Sequence, residues 1–182
     1  MNRMNRLVAF SVLIATAFLG RCAADLDAGT PEIADAISQP TAAEARERAK
    51  LLHETIHAVL HVVHHEYYRE DEGLAIPAAT LKKVFRELAD RKEVEVRWLA
   101  VNATAMNLDH VPQNDFERLA FDAIASGKGE YEEAKQGTYR RAAAITLSSE
   151  CLKCHAPTRS DTKDRVAGLI IAMPIERPSD DK

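Results

Sequence analysis

Three residues near the carboxyl end of the chain have the types and the spacing of a covalent cofactor site. Cys151 and Cys154 are separated by two residues, and His155 follows the second cysteine directly. In a C-x-x-C-H segment, two thiols one helical turn apart can reach the two vinyl groups on one edge of a haem, and the histidine can ligate the iron. The motif therefore predicts one covalent haem c, attached through Cys151 and Cys154, with His155 as the proximal iron ligand.

Two cysteines this close have other uses, which the sequence disfavours but leaves open. A disulfide across so short a span would constrain the unfolded chain little. A thioredoxin-like redox pair would begin a helix after a strand in a βαβ pattern, and the neighbouring sequence has no such pattern. A zinc site would need two further strong ligands near by. Haem attachment is the favoured interpretation.

A second motif lies upstream and indicates different chemistry. His53, Glu54 and His57 spell H-E-x-x-H, in which two histidines one turn apart bind zinc and the glutamate activates water. A third ligand would be required, and Glu70 and Glu72 are the available residues. The chain lacks the length and the second lobe that a proteolytic cleft usually needs, and C-x-x-C-H would have no role. A zinc-dependent peptidase is therefore the alternative function.

Histidines recur along the same segment at spacings that would align them on one side of a helix. Four of them fall within about 80° of arc at helical geometry; they are His53, His57, His61 and His64. One imidazole of this row could ligate iron on the distal side, and we expect His61, from its central place, or else His57 or His64. A solvated helix edge is the ordinary alternative for such a row. Met106, Met173, water and an open position are further possibilities at the distal side.

Local signals predict the helices that carry these residues. Thr41 with Glu44 matches a capping box, and the absence of glycine and proline after it predicts one long helix over about 42–68. Pro77 is suited to the first turn of a second helix over about 77–91. Asn114 with Glu117 predicts a third capped helix that ends at about 126.

Strands are predicted between and after these helices. The segment 94–101 alternates in the manner of a strand, and 138–147 and 166–175 read as further strands, the last one buried. The strand over 138–147 is the better-defined member of an expected pair of strands. The pair is punctuated by Gly127, Gly129 and Gly137. Helices first and strands later favour an α+β fold with a mostly antiparallel sheet.

The amino terminus reads as a secretion signal. Residues 1–24 have a basic start, an apolar run too short for a comfortable membrane span, and a small-residue end. Lipid attachment at Cys22 is disfavoured because Arg21 precedes it. We expect a flexible lead-in over 25–40, a haem domain over 41–176 and a tail over 177–182, in a soluble periplasmic or otherwise exported protein whose mature chain has no membrane span.

The charge of the chain argues against nucleic acid as a partner. Removing residues 1–24 takes away three arginines and no acidic residue, so the formal net charge moves from −4 to −7. An acidic surface repels phosphate backbones. The expected partners are a redox protein or a small diatomic ligand.

The carboxyl-terminal half also resembles a known family. The stretch SSECLKCHAP, the later DRVAGLIIAMPI and the upstream VEVRWLAVNATAMNLDHVPQNDFE are similar to segments of bacterial single-haem c-type domains with a PAS-like fold, of the cyanobacterial c-type haem protein type. The resemblance covers about residues 75–175. It implies a PAS-like antiparallel sheet with a long amino-terminal helix and flanking helices. It also implies that Cys151 and Cys154 are the thioether sites and His155 the proximal ligand.

At the distal side this sequence departs from the resemblance. Members of that family can use a cysteine from an upstream helix as the distal ligand, and a mature chain that has lost Cys22 has no cysteine outside the motif. The expected function is an exported monohaem c-type cytochrome domain for electron transfer or for redox or gas sensing. Two strong axial ligands would favour electron transfer, and an open or weak sixth position would favour sensing. No catalytic triad or phosphate-binding loop appears, so an enzymatic role is not indicated.

Overall fold

A long helix, α1 (Ala42–Glu66), is the first element of the structure. The computed structural model describes residues 39–102, 107–149, 151–156, 158 and 160–177, and for Glu70 and Cys154 it describes the backbone alone. The capping box predicted at the start of α1 is confirmed, since Thr41 accepts from the Glu44 backbone N–H and the Glu44 carboxylate accepts from the Thr41 backbone N–H. Two donors that the first turn leaves without helical partners are thereby satisfied.

The second helix, α2 (Pro77–Lys92), begins at the predicted proline. A short 3₁₀ turn, Glu70–Glu72, separates it from α1 and ends at Gly73, whose φ of 65° is the left-handed conformation that glycine adopts at low cost. The helix is attached to the sheet through Trp98, whose indole N–H donates to the Ala78 carbonyl at 3.2 Å. The centroid of the Trp98 ring also lies 5.1 Å from the centroid of the Phe85 ring. These contacts fix α2 beside the first strand.

Four strands form one antiparallel sheet in the order β1-β4-β3-β2. They are β1 (Glu95–Ala100), β2 (Glu130–Lys135), β3 (Thr138–Leu147) and β4 (Arg165–Pro174). The two ten-residue strands, β3 and β4, lie in the centre, and Trp98 of β1 is opposite Leu169 of β4. Each of the strands predicted from the sequence is present within a residue or two of its expected bounds.

The sheet has a hydrophobic core on each face. Helices α1 and α2 cover one face, and α3 (Asp115–Ala125) covers the other. Alternate side chains of β1 divide between the two faces, so that Trp98 enters the first core and Leu99 the second. The predicted cap of α3 is confirmed, because the Asn114 side chain accepts from the Glu117 backbone N–H at 3.0 Å.

Several expectations concern residues that the structure does not describe. The signal over 1–24, Cys22, the lead-in up to residue 38, Met106 and the residues after 177 all lie outside the described residues. Within the described part, no helix is long and apolar enough to cross a membrane.

Candidate functional site

The C-x-x-C-H motif forms a single helical turn directly after the central strand β3. The turn α4 (Leu152–His155) is closed by backbone hydrogen bonds from Leu152 N–H to the Ser148 carbonyl at 3.1 Å and from His155 N–H to the Cys151 carbonyl at 3.0 Å. Leu152 is fully buried and anchors the turn in the protein. Helical geometry puts positions 151 and 154 on neighbouring parts of one face, as attachment to a single haem edge requires.

Cys151 is a half-buried free thiol in the part of the chain that the structure describes. Its Sγ lies 3.6 Å from the Ser148 hydroxyl oxygen. The side chain of Cys154 is not described, so the pairing of the two thiols with a common partner stays a prediction.

His155 lies at the wall of an apolar cavity of about 310 Å³ between α1, α2 and the sheet. We call this the His155 cavity. Its apolar lining includes Leu60, Ile76, Trp98, Ile145 and Leu147, and its polar lining consists of Lys82, His64, Tyr68, Asn107, His110 and His155. A largely apolar hollow with a few converging polar groups is the usual form of a cofactor site.

A second hollow of about 430 Å³, the Cys151 cavity, adjoins the first. Cys151, Glu54, His57 and His61 line it, and it shares four lining residues with the His155 cavity: Leu60, His64, Ile145 and Leu147. The motif therefore presents its first cysteine to one hollow and its histidine to the other.

Burial keeps the imidazole of His155 neutral at ordinary pH. Removal from water lowers the pKa of His155 below the usual histidine value, and the nearby His64 lowers it further. Burial also lowers the pKa of His110, with Lys82 the next largest cause. Neutral imidazole is the form that ligates metal ions, so both side chains are in the state needed for coordination.

The histidine row of α1 does not share one environment. His53 is 4% exposed and lies in the core, where its Nδ1 has no hydrogen-bond partner among the described residues. His57 lines the Cys151 cavity. His61, which the sequence favoured, is exposed at the edge of that cavity. The centroid of its ring lies 6.3 Å from the centroid of the His65 ring. His64 lines both cavities. Of the three predicted distal residues, only His64 lies with His155.

His110 is a site residue that the sequence reasoning did not single out. It lies in a 3₁₀ turn, Leu108–His110, between β1 and α3, and its ring lines the His155 cavity. Its Nε2 is buried without a hydrogen-bond partner among the residues described. The segment around His110 has no helical or strand periodicity from which the direction of the His110 side chain could be predicted. The sequence shows only that this histidine lies in a loop between two predicted elements.

The zinc alternative finds little support in the described geometry. His53 is buried in the core whereas Glu54 and Glu72 are exposed, and the His53 and His57 rings are 6.2 Å apart. Within the described residues, no group of three or more His, Cys, Asp or Glu side chains is placed to hold a metal ion. The Glu70 side chain is not described.

Of the two methionines considered for the distal side, Met106 is outside the described residues. Met173 is 5% exposed, belongs to the core beside α1 and is opposite Tyr139 in the sheet. It does not line the His155 cavity.

Comparisons with known proteins agree with this architecture. The fold is similar to the crystal structure of the cyanobacterial heme-protein Tll0287, with a TM-score of 0.58 and 15% sequence identity over 74% of this chain and 96% of that chain. The PAS-like α+β fold expected from the sequence is thereby confirmed. No curated protein matches the sequence significantly. The sequence matches the Tll0287-like family over residues 38–170, more than half of its length, and the chain therefore belongs to that family.

Proposed function

We propose that this protein is an exported monohaem c-type cytochrome domain, with haem attached to Cys151 and Cys154 and its iron ligated by His155. The observation that carries the proposal is the meeting of motif and cavity, since the C-x-x-C-H turn presents His155 to an apolar hollow. The similar solved structure is that of a heme-protein, which supports the same conclusion.

The residues present fit a haem. The cavity walls are apolar, the proximal imidazole is neutral, and the thiol of Cys151 is free. Bound haem would supply a one-electron iron couple and an axial coordination position. This chain would hold the group through α4, which the buried Leu152 anchors, and would exclude water through the cavity lining. Burial and axial ligation are the principal means by which a protein sets the potential of such a group.

Electron transfer or redox sensing is the use that the site supports best. Imidazoles other than His155 border the cavity, which favours a six-coordinate iron over an open position for gas. We further propose that residues 1–24 direct export, so that the mature protein begins at Asp25 and meets a redox partner outside the cytoplasm. Mass spectrometry of protein recovered from the periplasm would test this cleavage site.

Expression with and without a cytochrome c maturation system tests the proposal directly. We expect red protein only in the maturation-competent host, a pyridine haemochrome spectrum typical of two thioethers, and retention of the colour by the polypeptide in acid–acetone. Cys151→Ala and Cys154→Ala should each lose one thioether. Lys153→Ala is the matched control, since it lies in the same turn and leaves both attachment cysteines and the ligating histidine intact. Colourless parent protein, or pigment that acid–acetone extracts, would refute the proposal.

The zinc-dependent peptidase remains the competing function of the H-E-x-x-H motif. Metal analysis of the purified protein separates the two. Stoichiometric iron without zinc supports the cytochrome. Stoichiometric zinc would favour the peptidase if the Glu54→Gln variant still bound zinc but lost a peptidase activity of the parent.

A further inference from the structure

We propose that His110 is the distal axial ligand of the haem iron, opposite His155. The inference depends on the proposed function, because it assigns the sixth coordination position of that same site. The predicted mature chain has no cysteine outside the C-x-x-C-H motif, so a second protein ligand would have to be another kind of side chain.

The first observation is an unsatisfied nitrogen at the cavity wall. His110 Nε2 is buried and has no hydrogen-bond partner among the described residues, although His110 and His155 line the same cavity. Buried polar atoms are nearly always paired. His53 Nδ1 also lacks a partner but lies in the core, whereas His110 lines a cavity in which a ligand could meet its nitrogen. A metal ion is the natural partner for a neutral imidazole in an apolar setting.

The second observation is the rigid support of the turn that carries His110. The Asn107 side chain accepts from the Asp109 backbone N–H at 2.9 Å, and the His110 N–H donates to the Asn107 carbonyl at 3.0 Å. The Arg97 guanidinium donates to the Asp109 carbonyl while it pairs with the buried carboxylate of Glu117. A ligand whose backbone is held in this way needs little ordering on coordination.

The charged groups around the imidazole are mixed but mainly cationic. Lys82 and Arg97 lie near it, with Asp109 on its own turn and His155 across the cavity. The two cations disfavour a positively charged imidazolium at this position.

His64 is the strongest competitor, because it also lines the His155 cavity and lies near His155. Its ring already packs against the Tyr68 ring at a centroid distance of 4.9 Å. It also borders the Cys151 cavity, on the side to which the thiol is presented. Unlike His110, it has no buried nitrogen that lacks a partner among the described residues. The unsatisfied atom therefore favours His110.

Spectra of the matured holoprotein and of three variants test the assignment. We expect the parent to be low-spin in both oxidation states, and His110→Ala to lose the low-spin spectrum, to become high-spin and to bind carbon monoxide without a slow ligand-release step. His110→Met should stay six-coordinate, gain the charge-transfer band of methionine-ligated ferric haem and shift to a higher reduction potential. His64→Ala removes the competing imidazole, and we expect that variant to stay low-spin.

Three outcomes would overturn the assignment: a five-coordinate parent, a His110→Ala variant with the parent's spectrum, or loss of the low-spin form in His64→Ala. If His110→Ala fails to mature, His110→Met decides alone, because an unchanged spectrum and potential there exclude ligation by residue 110. The pyridine haemochrome is measured on every sample. It reports covalent attachment independently of the distal ligand, so a failure of the proposed function is distinguished from a failure of this inference.

Discussion

A partly buried ion pair joins β1 to α3, the helix on the face of the sheet opposite α1 and α2. Arg97 of β1 pairs with Glu117 of α3, and the second Glu117 oxygen accepts from the Gln113 backbone N–H at 2.7 Å. The same guanidinium donates to the Asp109 carbonyl, so the pair also holds the turn that carries His110. The contact therefore links the stability of the fold to the geometry of the site.

Replacement of the arginine leaves a carboxylate buried without its cation. Removing one partner of a fully buried pair costs about 3–5 kcal/mol, because the remaining charge is desolvated and unpaired. The Glu117 side chain is 5% exposed, but that of Arg97 is 27% exposed, so water offsets part of the loss. For Arg97→Met we expect the free energy of unfolding to fall by about 2–4 kcal/mol.

Urea unfolding of the holoprotein, followed by far-UV circular dichroism, measures this change. Arg91→Met is the matched control, since Arg91 pairs with Glu87 at 2.9 Å on the surface of α2 with side chains 77% and 64% exposed. An exposed pair of this kind contributes less than about 0.5 kcal/mol. The double variant Arg97→Met/Glu117→Leu should recover part of the stability, because it removes the unpaired charge.

The reasoning is refuted if Arg97→Met destabilises the protein by no more than Arg91→Met does. It is also refuted if the double variant is less stable than Arg97→Met alone, since the loss would then come from packing. The haem spectrum of Arg97→Met gives a further readout, and we expect a mixture of spin states because the turn at Asp109 loses its anchor.

Three further predictions concern the core and the pH dependence. Gly168→Ala should destabilise the protein by about 1–3 kcal/mol in urea unfolding, because the new Cβ would lie 3.1 Å from the Leu99 Cβ; an unchanged midpoint would contradict this. Tyr139→Phe should cost about 1 kcal/mol, since it removes a hydroxyl that donates to Glu132 at 2.7 Å; a stabilised variant would be inconsistent with that bond. Burial lowers the pKa of His53 below 6.5, so below that pH the unfolded chain binds a proton that the folded chain excludes, and stability falls on acidification. His53→Leu should therefore lose less stability than the parent between about pH 7 and pH 5, and equal losses would show that His53 contributes nothing to this dependence.

Much of the fold could be predicted because its signals are local. The capping residues Thr41 and Asn114 each act within one helical turn, and Pro77 acts through its own ring. Strand alternation is also read over a few residues, and in the segment 94–101 it puts Val96 and Trp98, two positions apart, into the same core. Apart from the hairpin of β2 and β3, the order of the strands has no such signal, because the pairings of β4 with β1 and with β3 join segments that are distant along the chain.

The candidate site divides in the same way. The sequence alone predicts the proximal side, since Cys151, Cys154 and His155 lie within five consecutive residues and their chemistry depends on spacing within a single turn. The sequence could not select the distal residue. A helical period shows on which side of the helix a side chain lies, but not which part of the helix packs against the sheet. His61 is exposed in the structure, whereas His64 lines the cavity. His110 was accessible only from the tertiary structure, because the packing of a loop against β1 and α2 brings it to the cavity of His155.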